Sequence, residues 1–417
     1  MSAPEVAQAV RSSAVPGNES AARAATTPPR PSRVPPCPLA DLAARCGLAR
    51  PDTAVAVTGV THASSQVRPG DLYAALPGAR HHGAEFVPAA AAAGAVAVLT
   101  DRAGAAAAAA AGLPALVADD PRAVLGEVAA AVYGDPTAGL DVIGVTGTAG
   151  KTSTVYLIES GLRAAGRAPA LLGTVQTRLG DLVLDSVRTT PEATDLHALF
   201  AAARERGVDS VAMEVSSHAL ALHRVGGVRF AVGGYTNFGQ DHLDFHADSD
   251  EYFAAKARLF DGRCRVEVLN ADDPALKPLV GSRTLTYSAA GDPSATWYAT
   301  DVTDSGYGQR FIAHGPDGIE VSAGVALPGE HNVANALLAI AALVAVGVDP
   351  RVAARGVADC PGVPGRLERV AAPGSVIGVV DYAHKPDAIV AALAALRPLA
   401  GRGRLLCVLG AGGDRDR

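Results

Sequence analysis

Gly144-Val-Thr-Gly-Thr-Ala-Gly-Lys-Thr-Ser153 decides the fold, because it reads as a strand end, a glycine-rich turn and a helix start. Val142, Ile143 and Val145 supply the buried end of a parallel strand. Gly147 and Gly150 then let backbone N–H groups approach an anion with no Cβ in the way. Lys151 brings a cation to β- and γ-phosphates. The Thr152 hydroxyl stands at the N-terminus of the following helix, where such loops bind Mg2+. The strict phosphate-loop pattern has glycine five residues before Gly150, and this chain has Val145 there.

A chain of 417 residues holds about three domains of common size, and 49% hydrophobic content suffices for several cores. A net charge of −6 argues against a nucleic-acid partner. No apolar run reaches the ~20 residues of a membrane span, since the alanine tracts at 89–93 and 105–111 are short and weakly hydrophobic. The first twenty residues lack the apolar centre of a secretory signal, so a cytoplasmic protein is expected. Five cysteines (Cys37, Cys46, Cys264, Cys360 and Cys407) have no metal-ligand spacing, and their odd number suits free thiols in a reducing compartment. Of 36 basic residues only Lys151, Lys256, Lys277 and Lys385 are lysine. In so lysine-poor a chain each is a candidate for chemistry that arginine cannot perform, the alternative being a solvated surface charge.

Composition divides the chain. Residues 1–37 are rich in Ala, Pro, Ser and Arg and are expected to be a disordered extension. Residues 38–139 read as a small α/β unit with strands over 55–60, 71–76 and 95–100. Residues 140–361 alternate strands (209–215, 230–236, 266–270) with helices, the rhythm of a mostly parallel sheet covered on both faces. That unit includes a β-rich excursion over 284–326 and a helix over 332–346. After a linker at 361–365, residues 362–417 contain a strand over 375–382, a helix over 386–396 and a strand over 404–410. Such a segment is short for a domain, so an incomplete, C-terminally truncated unit is expected.

Further constellations lie in the central unit. Glu214 ends an apolar strand in AMEVSSH, where ligands bind in open α/β sheets and where a carboxylate can hold Mg2+. TNFGQDHLDFH crowds Asp241, His242, Asp244 and His246 onto one loop, either as chemistry or as a satisfied polar network. Lys256 sits on an amphipathic helix in EYFAAKARLF, and by itself reads as a surface lysine. Asn332 and Asn335 stand one turn apart at a helix start, positioned either to cap the helix or to read a purine edge.

The pieces TGTAGKT, RTTPE, MEVSSHALALHR, TNFGQDHLDFH, YFAAKARLF, LNADDP, GEHNVANALLA, PGRLE, VVDYAHKPDA and LGAGGDRD follow one another in an order that resembles the Mur ligase family over residues 50–417. TGTxGKT is that family's variant of the phosphate loop. RTTPE and DYAHxPDA point to its tripeptide-synthetase branch, which adds the third residue of the peptidoglycan stem to UDP-N-acetylmuramoyl-L-alanyl-D-glutamate. The resemblance implies a three-domain α/β architecture: a UDP-substrate unit, a central ATP unit with a P-loop-like mostly parallel sheet, and an incomplete Rossmann-like C-terminal unit that binds the amino acid.

The resemblance also implies roles. Gly147, Thr148, Ala149, Gly150, Lys151, Thr152 and Ser153 would hold the ATP phosphates, with Thr152 and Glu214 on Mg2+ and His242 near a second ion. Lys256 would be carbamylated by CO2 into an anionic metal ligand, which arginine cannot become. Asn332 and Asn335 would contact adenine, Arg366 the γ-phosphate and Asp381 the ribose. Thr189, Thr190, Ser216 and Arg224 would grip the acceptor, Ser64 the uridine, and Arg415 the incoming amino acid's carboxylate. Three positions depart from the family pattern: Ala149 for a frequent Asn, Leu222 for a Gln, and Ala63-Ser64-Ser65 for Asp-Ser-Arg.

A carboxylate is a poor electrophile toward an amine, so ATP-dependent ligation through an acyl phosphate is the chemistry that these pieces imply. Diaminopimelate is the expected amino acid, with L-lysine the alternative. The implied setting is peptidoglycan biosynthesis, and with it cell-wall biogenesis, shape and division, carried out by a cytoplasmic monomer without a membrane or nucleic-acid partner. A nucleotide-binding protein without ligase activity is the alternative from a different class.

Overall fold

The structure, a computed structural model, describes residues 28–242, 244–372, 376–384 and 386–410. After Cys37–Pro38, which pair antiparallel with Ala56–Val57 on either side of the helix Leu39–Arg45, comes a four-stranded parallel sheet in the order β1 (Gly59–Thr61), β2 (Asp71–Ala74), β3 (Ala97–Thr100), β4 (Ala115–Val117). Helix α1 (Pro121–Val132) follows. Its start is written in the sequence: Pro121 needs no N–H partner, and the Asp120 carboxylate accepts from the N–H groups of Arg122 and Ala123.

Strand β5 (Asp141–Thr146) leads through the glycine turn into α2 (Lys151–Ala164). Then come β6 (Pro169–Leu172), β7 (Gln176–Leu179), β8 (Leu182–Asp185), α3 (Ala193–Glu205), β9 (Ser210–Glu214), β10 (Phe230–Tyr235), α4 (Ser249–Ala257) and β11 (Cys264–Asn270). The β-rich excursion is β12 (Thr284–Ser288), β13 (Trp297–Ser305), β14 (Gly308–His314) and β15 (Glu320–Val325), followed by α5 (Glu330–Ala345) and α6 (Pro350–Ala358). Among the described residues these strands form one sheet, in the order β8-β7-β6-β9-β5-β10-β11-β12-β13-β14-β15. Pairings from β6 to β13 are parallel, and antiparallel hairpins finish both ends.

Alternation along β5 sends side chains to both faces of this sheet. Ile143 and Val145 join one core with Val155 and Ile158 of α2, Leu338 of α5 and Val357 of α6. Val142 joins the opposite core with Met213 of β9 and Leu199 and Phe200 of α3. Sequentially distant β9 and β10 flank β5, so the chain reverses its winding direction there and opens a crevice at the carboxyl ends of these strands.

One of the places where the two units meet is a single carbonyl. A Cβ on Gly126 of α1 would lie 2.4 Å from the Gly226 oxygen, so the helix can approach only as glycine. Nε2 of His197, inside α3, donates to the same oxygen at 2.8 Å.

Expectations are corrected at both ends of the chain. The expected disordered extension reaches residue 37, yet residues 28–37 are packed. Arg30 forms a 2.7 Å ion pair with the buried Asp71, and Ser32 N–H donates to Glu205 at 2.8 Å. Composition cannot register partners that lie on β2 and α3. Beyond the linker, the expected strand over 375–382 narrows to β17 (Gly378–Val380), antiparallel to β16 (Glu368–Val370), and the helix extends over α7 (Pro386–Ala400). Residues 404–410 form no strand, since no described strand lies alongside to pair with them, and Leu406, Val408 and Leu409 are exposed. Among the described residues no helix is long and apolar enough to cross a membrane.

Burial holds the His197 pKa down to about 4, against 6.5 for a free imidazole. The folded state therefore keeps this ring neutral while the unfolded chain takes up a proton below pH 6.5. Stability contributed in this way is complete above pH 6.5 and is lost as pH falls toward 4, up to roughly 3 kcal/mol. Urea unfolding at pH 7.5, 6 and 4.5 should show this decline, and His197→Gln should make it shallower, the remainder coming from His218, His223, His246 and His331, whose pKa values burial also lowers.

Candidate active site

The glycine turn occupies the crevice at the end of β5. Gly147 has φ +139°, and a Cβ there would lie 1.8 Å from Thr236 Oγ1; Gly150 has φ +88°, and a Cβ there would meet Asn335 Oδ1 at 2.4 Å. Both positions demand glycine by conformation and by space. The result is a backbone concavity at the start of α2, the arrangement that binds phosphate oxygens.

Two lysines converge on one atom of this turn. Lys151 Nζ donates to the Gly147 carbonyl at 2.7 Å and to that of Thr148 at 3.1 Å. Lys256 Nζ donates to the same Gly147 oxygen at 2.9 Å and lies 4.5 Å from the centre of the Tyr252 ring. Lys256 is only 1% exposed, so its expected surface position is overturned: α4 turns this side chain into the interior, beneath the phosphate loop. Tyr252 in turn shares a 3.3 Å hydrogen bond with Thr148.

Residues that sequence reasoning passed over hold the loop in shape. Thr236 Oγ1 donates to the Ala149 carbonyl at 2.6 Å, and Asn237 donates to that oxygen through Nδ2 at 3.1 Å. Ala149 N–H donates to Asn237 Oδ1 at 3.0 Å, and Thr148 N–H to the Asn237 carbonyl at 2.8 Å. The main chain at Ala149 is thus clamped on both polar groups, independently of its side chain. The signal was present: Thr-Asn immediately follows the strand that flanks β5.

Glu214, at the end of β9, is buried and accepts from Thr174 N–H at 2.7 Å and Thr174 Oγ1 at 3.1 Å, retaining further lone pairs. Thr174 also bonds Thr189 at 3.0 Å. Thr190 Oγ1 donates to the Glu214 carbonyl at 2.9 Å and accepts from Ser216 N–H at 3.1 Å. Ser216 caps the short helix Ser217–Ala221, and Arg224 Nη1 reaches the Thr190 carbonyl at 3.4 Å. Thr189, Thr190, Ser216 and Arg224 therefore form one cluster beside Glu214.

His242 adopts φ +54° and packs edge-on to His218 at 4.7 Å. His218 stacks on Phe245 at 4.1 Å, and burial together with the neighbouring His246 lowers its pKa. Asn332 and Asn335 do not cap α5, whose N-cap is Gly329. Instead Asn335 Nδ2 donates to Asn332 Oδ1 at 3.1 Å, and Asn335 Oδ1 accepts from Thr154 Oγ1 at 3.3 Å, locking α5 to α2 beside Gly150. Arg366 crosses from the linker to within 3.2 Å of Thr152 Oγ1 and lies over Tyr382. Asp381 accepts from Leu367 N–H at 2.7 Å. Ser64 sits apart on a short turn after β1, and Arg415 lies outside the described residues. No group of three or more His, Cys, Asp or Glu among the described residues could cage a metal. A Thr152 hydroxyl and a Glu214 carboxylate are hard oxygen donors of the kind that Mg2+ accepts while keeping waters and phosphate oxygens.

A glycine-cradled phosphate loop with two lysines beneath it, set at the reversal point of an α/β sheet and flanked by a polar cluster, defines a nucleotide-phosphate-binding enzyme fold. Family models match in three segments: "Mur ligase family, catalytic domain" at 56–133, "Mur ligase middle domain" at 145–343 and "Mur ligase, glutamate ligase domain" at 365–417. The chain is 55% identical over 393 residues to the UDP-N-acetylmuramoyl-L-alanyl-D-glutamate--2,6-diaminopimelate ligase of Streptomyces coelicolor, covering 93% of this chain and 77% of that protein. Identity to the enzyme of the same name from Corynebacterium glutamicum is 46% over 376 residues, covering 88% and 72%. A solved structure of a ligase of that name superposes with a TM-score of 0.71 at 29% identity, over 87% of this chain and 74% of that one. The chain belongs to the Mur ligase family.

Removing the Asn237 side chain leaves the Ala149 N–H without its acceptor. Asn237→Ala should therefore weaken ATP binding by about tenfold, as expected for a lost hydrogen bond that pre-shapes a phosphate site. Asn237→Asp keeps the acceptor but loses the Nδ2 donor to the Ala149 carbonyl and adds a negative charge beside the phosphates, so it should bind ATP no better than Asn237→Ala; calorimetric titration with ATP checks both.

Proposed function

We propose that this protein joins 2,6-diaminopimelate to the D-glutamyl carboxylate of UDP-N-acetylmuramoyl-L-alanyl-D-glutamate at the expense of ATP, in peptidoglycan biosynthesis. The observation that carries the proposal is the convergence of Lys151 and Lys256 on the Gly147 carbonyl, next to the Glu214–Thr190–Ser216–Arg224 cluster, in a chain 55% identical to a ligase of that name.

The division of labour follows from position. Backbone N–H groups of residues 147–153 and the Lys151 ammonium neutralise the phosphates of ATP, the barrier when one anion must attack another. Arg366, beside Thr152, faces the γ-phosphate; Asn332 and Asn335 border the adenine and Asp381 the ribose. Thr189, Thr190, Ser216 and Arg224 orient the acceptor so that its carboxylate meets the γ-phosphoryl in line, with Ser64 toward the uridine end. The amine of the incoming amino acid, whose carboxylate would pair with Arg415, then attacks the acyl carbon of the resulting acyl phosphate, forming the amide bond as the C–O bond to phosphate breaks and inorganic phosphate leaves. Thr152, Glu214 and His242, with Lys256 as a carbamate, would hold Mg2+, which supplies charge neutralisation at the transferring phosphoryl. An unmodified Lys256 ammonium cannot ligate a cation, so carbamylation is the condition for its share. In this reading the boundaries 38–139, 140–361 and 362–417 divide acceptor, ATP and amino-acid binding, and the enzyme works as a cytoplasmic monomer.

Incubation of the purified protein with ATP and the muramoyl dipeptide should release phosphate in a dipeptide-dependent manner, faster with diaminopimelate than with L-lysine. ATP turnover indifferent to the dipeptide would point to a nucleotide-binding protein without ligase activity, and faster turnover with L-lysine would reassign the amino acid.

Lys151→Ala should abolish this turnover, and Lys151→Arg should fail too, because a planar fork cannot replace a point charge in the loop. Lys256→Ala should lose most activity and regain part of it with added short carboxylates. Full activity of Lys256→Ala in CO2-depleted buffer would remove the carbamate from the mechanism.

A further inference from the structure

Glu192 closes the RTTPE motif and none of the roles above uses it. Its carboxylate is almost fully buried, yet three guanidinium groups surround it: Arg224 Nη2 at 2.9 Å, Arg122 Nη1 at 3.4 Å and Arg188 Nε at 3.8 Å. Arg224 is itself largely shielded, and desolvation lowers its pKa while Glu192 raises it in turn. Its Nε–H finds no partner among the described residues, so this guanidinium is held by the 2.9 Å contact with Glu192 and the longer one, 3.4 Å, to the Thr190 carbonyl. Arg122 comes from α1 of the neighbouring unit, so the same carboxylate ties the two units together beside Thr190.

We infer that Glu192 is a positioning residue for the acceptor site: it aims Arg224 and registers it against α1 through Arg122. The inference rests on the assignment of Arg224 to the anionic muramoyl dipeptide. Three arginines against Glu192 and the neighbouring Asp195, whose pKa burial raises, leave a positive excess suited to that ligand. Charge alone would then make Glu192 an opponent of binding, since removing a negative group strengthens attraction for an anion. Positioning demands the opposite sign, because an unanchored Arg224 must be ordered again by the ligand.

The test is calorimetric binding of UDP-N-acetylmuramoyl-L-alanyl-D-glutamate, and separately of ATP, to the full chain. Glu192→Gln, nearly isosteric, is expected to weaken dipeptide binding about tenfold while ATP affinity stays within about twofold. Arg224→Ala is expected to weaken it at least as much, and the double variant little more than Arg224→Ala alone. Should Glu192→Gln not fold, Arg122→Ala is expected to weaken dipeptide binding about threefold by loosening the carboxylate. Unchanged or tighter dipeptide binding by Glu192→Gln, or by Arg122→Ala in its place, overturns the inference. Unchanged binding by Arg224→Ala overturns instead the assignment of the acceptor site on which it rests.

Discussion

The active region depends on a carbonyl oxygen, that of Gly147, to which two lysines from different helices donate. It can serve both because residue 147 carries no side chain and because Thr236 closes against it from the neighbouring strand. Any Cβ there would push β10 away from β5, and with it the Asn237 clamp on Ala149. Loop shape, the position of α2 and the burial of Lys256 are therefore parts of a single constraint.

From that point the architecture spreads in two directions. On the β9 side, Glu214, Thr174 and Thr190 build a hydroxyl and carboxylate wall that leads through Ser216 to Arg224 and the first unit. On the other side, Asn335 locks α5 to α2, and Arg366 brings the linker over Thr152. The sheet's reversal at β5 makes both walls face one crevice, as a parallel sheet whose helices cover both faces requires. The Gly226 carbonyl, with His197 inside and Gly126 outside, keeps the acceptor-side unit at a set distance from this crevice.

Family membership and the parallel core were legible in the chain because both are local. A glycine turn after an apolar strand, and motifs in a fixed order, need no tertiary contact to be read. The hairpin β7–β8 was equally local, with Gly180-Asp181 between alternating residues, but it was passed over. Lys256 was legible only as chemistry: its helix, taken alone, gave it an exposed place.

Sequence by itself determined the phosphate loop, the strand rhythm and the identity of the lysines, because backbone conformation at glycine and hydrophobic period are written residue by residue. Tertiary structure alone decided what each side chain meets. It buried Lys256 under Gly147, joined Asn335 to Asn332 and to α2 rather than to the free N–H groups of the helix start, packed residues 28–37 onto β2 and α3, and left 404–410 without a ladder. It also placed three arginines around Glu192, two of them distant in sequence. Burial and pairing are properties of surfaces brought together across long sequence separations, and no period or motif in a single chain encodes which surfaces those will be.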